Sequence, residues 1–208
     1  MSRAPTRPRA ARKGVGVRTQ RPRGRRAKRR LPPASATPLR CLVLAVDTAA
    51  RSGWCAIHGR DQFLAYGEAD TLDGPALRYI VRWALCHAEA RGLPLVLVLE
   101  KAWGGKPWVL VGLGAARERW MAAWRALDLP ESHVVSVQPS EWRAVVLGKR
   151  WARAPREEVR PHEQAIAKAT VGAAVSGDEA PAILIARWGM RAAKVARVLA
   201  SPGPRRRP

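Results

Sequence analysis

Two apolar runs, Cys41-Leu-Val-Leu-Ala-Val-Asp47 and Leu95-Val-Leu-Val-Leu-Glu100, decide the fold of this chain, and each ends in an acidic residue. Neither run alternates with polar residues, which is typical of central strands buried on both faces of a sheet. A single Asp at a strand end is ordinary, because Asp favours turns. Two such strands, together with Asp178-Glu179 at the start of a late apolar helix, favour a cluster of carboxylates.

Carboxylate oxygens are the ligands that hard cations such as Mg²⁺ prefer, usually one or two of them with water in the other positions. The sequence therefore predicts a divalent-metal site with four candidate ligands: Asp47, Glu100, Asp178 and Glu179. Zinc is not expected, because the four His and three Cys residues of the chain show no zinc-ligand spacing.

The charge of the chain predicts a polyanionic partner. The formal net charge is +22, and 14 of the 38 Lys and Arg residues lie within residues 1–40, which contain no acid. That segment has few large apolar residues, so we expect a disordered basic tail there and a shorter basic tail over residues 201–208. Basic arms bind nucleic acid through counterion release. We expect residues 41–200, between the two tails, to form one domain of ordinary size.

The order of elements in that domain predicts an α/β fold. The first apolar run begins a three-stranded antiparallel meander, and a helix and a right-handed crossover then lead to the strand that ends at Glu100. A helix, a fifth strand and several helices follow. We expect one last helix, capped by Ser176 or Asp178, that tolerates Pro181 in its first turn and whose apolar face extends to Leu199.

This order, with its acidic positions, resembles the RNase H-like nucleases, and within them the RuvC-type Holliday junction resolvases. The most specific matching pieces are Val46-Asp47-Thr48, Ser52-Gly53-Trp54, Val98-Leu99-Glu100, Pro139-Ser-Glu-Trp-Arg143-Ala-Val-Val-Leu-Gly148 and Asp178-Glu179-Ala180. The resemblance implies an RNase H-like mixed five-stranded sheet, three antiparallel strands followed by parallel strands, flanked by helices. It also implies that the strands ending in Asp47 and Glu100 are neighbours, below the start of the last helix.

The resemblance implies a crossover junction endodeoxyribonuclease that uses two Mg²⁺ ions, with Mn²⁺ as a substitute, to make paired symmetric nicks in four-way DNA junctions. Products would carry 5′-phosphate and 3′-hydroxyl ends, as in DNA recombination and repair. One position departs from the family, which usually has a further Asp where this chain has Pro181. Three possibilities stay open: Glu179 replaces the missing carboxylate, Asp178 is sufficient with water completing the metal shell, or the chain binds junctions and cuts them poorly.

Basic and aromatic residues near these positions predict the contacts with DNA. Arg143 and Arg156 fall where the resemblance places phosphate-contacting lysines, and a guanidinium suits phosphate clamping better than proton transfer. Trp103, in the glycine-rich loop after Glu100, is predicted to stack on an unpaired base. The connecting loop contributes three further candidate phosphate contacts: Lys149, Arg150 and Arg153.

Two symmetric cuts require two sites, so we expect a homodimer. The helix from Pro107 to Leu127 is a candidate dimer face, although it is equally compatible with the core; the residues concerned are Trp108, Leu110, Val111, Met121 and Trp124. Two other functions stay open, namely an RNase H-like nuclease for RNA or other branched nucleic acid, and a non-cleaving basic nucleic-acid-binding protein. We expect no membrane span, and a cytoplasmic location on nucleoid or viral DNA in preference to an organelle.

Overall fold

The computed structural model describes residues 39–59, 61–101 and 106–200, so the predictions for the basic tails and for Trp103 lie outside the described residues. The strands are β1 (Leu42–Asp47), β2 (Arg51–His58), β3 (Gln62–Asp70), β4 (Leu95–Glu100) and β5 (Val134–Val137). The α-helices are α1 (Gly74–Glu89), α2 (Pro107–Arg125), α3 (Pro139–Val146), α4 (Arg156–Val171), α5 (Glu179–Gly189) and α6 (Ala193–Ala200). In this part of the chain, no helix has the length and apolar character needed to cross a membrane.

The five strands form one mixed sheet in the order β3-β2-β1-β4-β5. β1 is antiparallel to β2, and β2 is antiparallel to β3, so the first three strands form the predicted meander. β1 is parallel to β4, and β4 is parallel to β5. The predicted α/β fold, with three antiparallel strands followed by parallel ones, is confirmed, as is the pairing of the strands that end in Asp47 and Glu100.

The sheet is covered on both faces, which explains why β1 and β4 are apolar without interruption. In β1, Leu42, Leu44 and Val46 pack into one core with apolar residues of α1 and α2. Val43 and Ala45 point to the opposite core, which contains residues of α3, α4, α5 and α6. Because successive side chains of a strand point to opposite faces, a strand buried on both sides needs apolar residues at every position.

The last predicted helix is wrong in one respect, because it is interrupted. α5 ends at Gly189 and α6 begins at Ala193. Between the two helices, the backbone hydrogen bonds span three residues in place of four: Arg191 N donates to Trp188 O over 3.0 Å, and Ala192 N donates to Gly189 O over 3.2 Å. Such i to i−3 bonds end an α-helix in a tight turn.

One glycine sets the position of α5 over the sheet. Gly53 of β2 is the register partner of Asp47. An ideal Cβ atom on Gly53 would lie 1.7 Å from the backbone carbonyl oxygen of Asp178. The start of α5 therefore lies against β2 so closely that a side chain has no space there, and this contact brings α5 next to the acidic end of β1.

Candidate functional site

Asp47 and Glu100 meet at one edge of the sheet. The last paired residues of β1 and β4 in the register are Val46 and Leu99, so the two acids follow them on adjacent parallel strands. Each is only 9% exposed, and their carboxyl groups lie within hydrogen-bonding reach of each other. The Thr48 hydroxyl donates to the backbone carbonyl oxygen of Glu100 over 2.9 Å, which fixes the chain after β1 to the end of β4.

The environment of Glu100 disfavours its charge. Burial raises the pKa of Glu100 well above its usual range, and the neighbouring Asp47 raises the pKa further. Two groups oppose this rise: the Trp142 indole Nε1 donates to Glu100 Oε1 over 2.9 Å, and the Arg143 guanidinium is a nearby positive charge. When two carboxyl groups lie this close, their mutual repulsion favours a proton on one of them. A cation bound between the two groups would relieve that repulsion.

This electrostatic conflict predicts a pH-dependent effect of Glu100→Gln on the metal-free protein. Because the pKa of Glu100 is raised in the folded state, its contribution to stability is complete below its ordinary pKa and is lost as pH rises through the raised value. A neutral Gln stays neutral and still accepts from Trp142. We therefore expect Glu100→Gln to unfold at a higher temperature than the parent at pH 8, with a smaller difference at pH 4.

Thermal unfolding followed by circular dichroism in EDTA measures this difference. Glu89→Gln, on the exposed end of α1, is the matched control and should unfold like the parent at both pH values. A Glu100→Gln protein that is less stable than the parent at pH 8 would show that the ionised Glu100 is stabilising without metal.

A pocket of about 350 Å³ opens above Asp47 and Glu100. Its wall is strongly basic, since five cationic side chains line it: Lys101, Arg143, Arg153, Arg156 and Arg160. Clustered guanidinium groups around two carboxylates are suited to hold phosphate groups beside a bound cation. The described pocket therefore combines a candidate cation position with candidate phosphate contacts.

The predicted basic residues are distributed unevenly around this pocket. Arg143, Arg153 and Arg156 are in its wall, whereas Lys149 and Arg150 are not among the described residues that line it. The guanidinium carbon of Arg150 lies 4.9 Å from the ring centre of Trp151, as in a cation–π contact. Arg160, which was not predicted, also lines the pocket.

The acids of α5 are held by other groups. The Ser176 hydroxyl accepts from the backbone N–H of Glu179, while a Glu179 carboxylate oxygen accepts from the backbone N–H of Ser176 over 2.8 Å. This reciprocal pair is a capping box, and it occupies the Glu179 carboxylate at the helix start. Asp178 Oδ1 accepts from Arg160 Nη2 over 3.0 Å. Neither acid is among the residues that line the pocket, although Gly177 and Pro181 are.

A carboxylate that was not predicted lines the pocket instead. Glu163 of α4 is 2% exposed, and its Oε1 accepts from Arg143 Nε over 2.8 Å. Burial raises the pKa of Glu163, the Arg143 guanidinium opposes the rise, and the charge of Asp47 adds to it. The pocket therefore contains acids from β1, β4 and α4.

Comparison with solved structures places this geometry among known folds. Thermus thermophilus RuvC in complex with a Holliday junction substrate superposes with a TM-score of 0.52 at 14% identity, over 76% of this chain and 95% of that chain. A second Thermus thermophilus RuvC structure superposes with a TM-score of 0.52 at 17% identity, over 75% of this chain and 95% of that chain. The fold is that of RuvC. No protein-family model matches the sequence, and no curated protein sequence matches it.

Within this RuvC fold, the residues at the sheet edge fit one divalent cation. Asp47 and Glu100 supply two carboxylates, a number that Mg²⁺ commonly takes in proteins. Among the described residues, no three Asp, Glu, His or Cys side chains are close enough to hold a metal ion together. The second ion expected from the resemblance stays a prediction; the carboxylates of Asp178 and Glu179 accept hydrogen bonds from Arg160 and from the backbone of Ser176.

Two residues of this RuvC fold, one hydrogen-bonded to Glu100 and one in the pocket wall, were not predicted. Trp142 is fully buried and hydrogen-bonds Glu100, yet its sequence context is only that of a short amphipathic helix. Glu163 lies in a helix with two other acids, Glu157 and Glu158, and no local signal separates it from them. Glu179, in contrast, is the last residue of a Ser-x-x-Glu pattern typical of a capping box, so its role at the helix start could be predicted from the sequence.

Proposed function

We propose that this chain is a divalent-metal-dependent endonuclease that resolves four-way DNA junctions by paired symmetric nicks. The observation that carries the proposal is the pair Asp47 and Glu100, buried side by side at the floor of a pocket with a basic wall. The RuvC fold supports it, and one of the solved RuvC structures with that fold is a complex with a Holliday junction substrate. Such nicks leave 5′-phosphate and 3′-hydroxyl ends.

In this proposal, acidic residues of the pocket bind the cation and basic residues bind phosphate. Asp47 and Glu100 would hold a Mg²⁺ or Mn²⁺ ion, which supplies Lewis-acid stabilisation of charge at a phosphate and a water of lowered pKa. Binding requires Glu100 to lose its proton, so metal affinity should increase with pH. Arg143, Arg153 and Arg156 would bind phosphate oxygens and keep the strand across the carboxylates. Pro139 and Leu113 add apolar surface to the pocket.

Paired cuts imply a homodimer, and exposed apolar residues on α2 support a dimer interface at this helix. Trp108 is 70% exposed, Val111 is 73% exposed, and Leu110 is 38% exposed, so the beginning of α2 is an apolar surface. Met121 and Trp124 were predicted in the same face, but both are buried in the core of the domain. The proposed dimer face is therefore the first turns of α2 alone.

Val111→Glu is expected to weaken self-association by at least about tenfold, because a carboxylate at the centre of an apolar interface must be desolvated. Sedimentation equilibrium of the full chain without DNA measures the effect. Val145→Glu on α3 is the matched control, since Val145 is 57% exposed and lies on another element. Equal self-association of the parent and Val111→Glu would rule out this face.

A substrate panel tests the proposed function. The purified chain is incubated with end-labelled four-way junction, linear duplex of the same sequence, and RNA–DNA hybrid, each with Mg²⁺, Mn²⁺ or EDTA. We expect metal-dependent nicks in the junction and little cleavage of the linear duplex. Faster cleavage of the hybrid would favour the RNase H-like alternative, and binding to all three without cleavage would favour the non-cleaving alternative.

A further inference from the structure

Glu163 is a carboxylate of the pocket wall to which the proposed function gives no role. Its side chain is 2% exposed, although carboxylates are rarely buried unless a partner offsets the loss of hydration. The partner is Arg143, whose Nε donates to Glu163 Oε1 over 2.8 Å and whose side chain is only 15% exposed. A nearly buried ion pair therefore joins α4 to α3 inside the wall of the pocket.

The ion pair occupies one edge of the Arg143 guanidinium and leaves the other edge free. A guanidinium carries its N–H donors in a rigid planar fork. Among the described residues, Nε is the one nitrogen of Arg143 that donates a hydrogen bond, and Nη1 and Nη2 have no acceptor there. Two parallel N–H groups on that free edge match two oxygens of one phosphate group.

Arg143 differs from the other cations of the pocket wall in how firmly it is held. Its guanidinium carbon lies 5.3 Å from the ring centre of Trp142, and the Trp142 indole Nε1 donates to Glu100 Oε1 over 2.9 Å. The other four cationic side chains of the wall are exposed: Lys101, Arg153, Arg156 and Arg160. Arg143 is therefore the wall cation with a fixed position beside the carboxylates of the pocket floor.

We propose that Glu163 is a positioning residue, which holds Arg143 by Nε so that Nη1 and Nη2 together bind one phosphate group of the DNA strand. This inference rests on the proposed function, because it assumes a strand that lies across Asp47 and Glu100. A guanidinium that is already oriented keeps the phosphate in the geometry of the reaction, and small displacements from that geometry are costly in rate. Glu163 itself contacts neither the phosphate nor the cation.

The competing role for Glu163 is structural, namely to tie α4 to α3 without effect on the reaction. Two substitutions of similar size separate these roles. Glu163→Gln keeps an oxygen that accepts from Arg143 Nε but removes the charge, whereas Glu163→Met keeps the length of the side chain and removes both oxygens. If the hydrogen bond positions Arg143, the Gln variant keeps most of the cleavage rate and the Met variant does not.

Single-turnover cleavage of a four-way junction in Mg²⁺, at saturating protein, is the test. We expect Glu163→Met to slow cleavage by at least about tenfold, because Arg143 loses its orientation, and Glu163→Gln to cut within about threefold of the parent rate. The Kd of Glu163→Met for the junction, from gel-shift titration, should stay within about threefold of the parent value, since the other cations still bind phosphates. Thermal melts measure the folded fraction of each variant.

A double-mutant cycle tests whether Glu163 acts through Arg143. Arg143→Ala combined with Glu163→Met should cut as slowly as Arg143→Ala alone, because the second change removes a contact that the first has already abolished. Glu158→Met, at an exposed acid on the same helix, is the control and should cut like the parent.

Three results would overturn the inference while the parent cuts junctions and the proposed function stands. They are a folded Glu163→Met protein that cuts at the parent rate, a Glu163→Gln protein as slow as Glu163→Met, and effects of the two changes that multiply in the double variant. A parent chain that cuts no junction in Mg²⁺ or Mn²⁺ would overturn the proposed function and, with it, this role of Glu163.

Discussion

Asp47→Asn is expected to lower the rate of four-way junction cleavage in Mg²⁺ by at least about 10³-fold, because loss of a metal-held charge costs several kcal/mol of transition-state stabilisation. Asp47 is the last residue of β1, is 9% exposed, and lies within reach of the Glu100 carboxyl group. Junction binding should be kept or become tighter, since the change removes a negative charge from a pocket that would hold phosphates. The fold should also be kept, because Asn has the same shape.

Single-turnover cleavage and gel-shift titration on the same junction separate these two effects. Asp128→Asn is the matched control: Asp128 is exposed, and its φ of 52° is in the left-handed region that Asn adopts readily. It should cut like the parent. An Asp47→Asn protein that cuts within tenfold of the parent rate would remove Asp47 from the catalytic centre.

Gly53→Ala is expected to destabilise the protein by at least about 3 kcal/mol, because overpacking against backbone is relieved only if a whole element moves. The added Cβ would lie 1.7 Å from the Asp178 carbonyl oxygen and 3.2 Å from the Glu179 Cα atom. α5 has to shift away from β2, and its buried residues then lose contact with the sheet. For a chain of this length, such a loss lowers Tm by roughly 6 to 12 °C.

Gly114→Ala is the control for this change. Gly114 is inside α2, and a Cβ there would meet nothing within 4 Å, so the substitution should be neutral or stabilising by up to about 1 kcal/mol. Differential scanning calorimetry of both variants gives the comparison. A Gly53→Ala protein with the Tm of the parent would mean that α5 is not packed against β2 as described.

Much of the fold was predictable because burial on two faces leaves a clear pattern. The uninterrupted apolar runs that end at Asp47 and Glu100 indicated central strands, and the meander before them indicated the antiparallel half of the sheet. The break between α5 and α6 was not predictable, since apolar residues recur at helical spacing across it. That break depends on the tight hydrogen bonds after Trp188, which are a feature of the folded backbone.

The floor of the site was predictable from the sequence, and its wall only in part: Arg143, Arg153 and Arg156 were predicted near the acids, but Glu163 and Arg160 were not. Asp47 and Glu100 terminate neighbouring strands, so sequence and topology alone bring them together. Glu163 reaches the pocket from α4, far along the chain, and its position depends on how that helix crosses the sheet. Glu179 was predicted as a metal ligand from its acidity, and in the structure its carboxylate accepts from the backbone N–H of Ser176, while the Ser176 hydroxyl accepts from the backbone N–H of Glu179.

Mapping nicks on a junction labelled in each of its four strands in turn tests whether this chain is a metal-dependent nuclease for four-way junctions. With Mg²⁺ and the full parent chain, we predict one nick at the same position relative to the crossover in two strands of opposite arms, with 5′-phosphate ends and none in EDTA. Intact strands, or nicks that appear equally fast in a linear duplex of the same sequence, would show that this chain is not a junction-resolving nuclease.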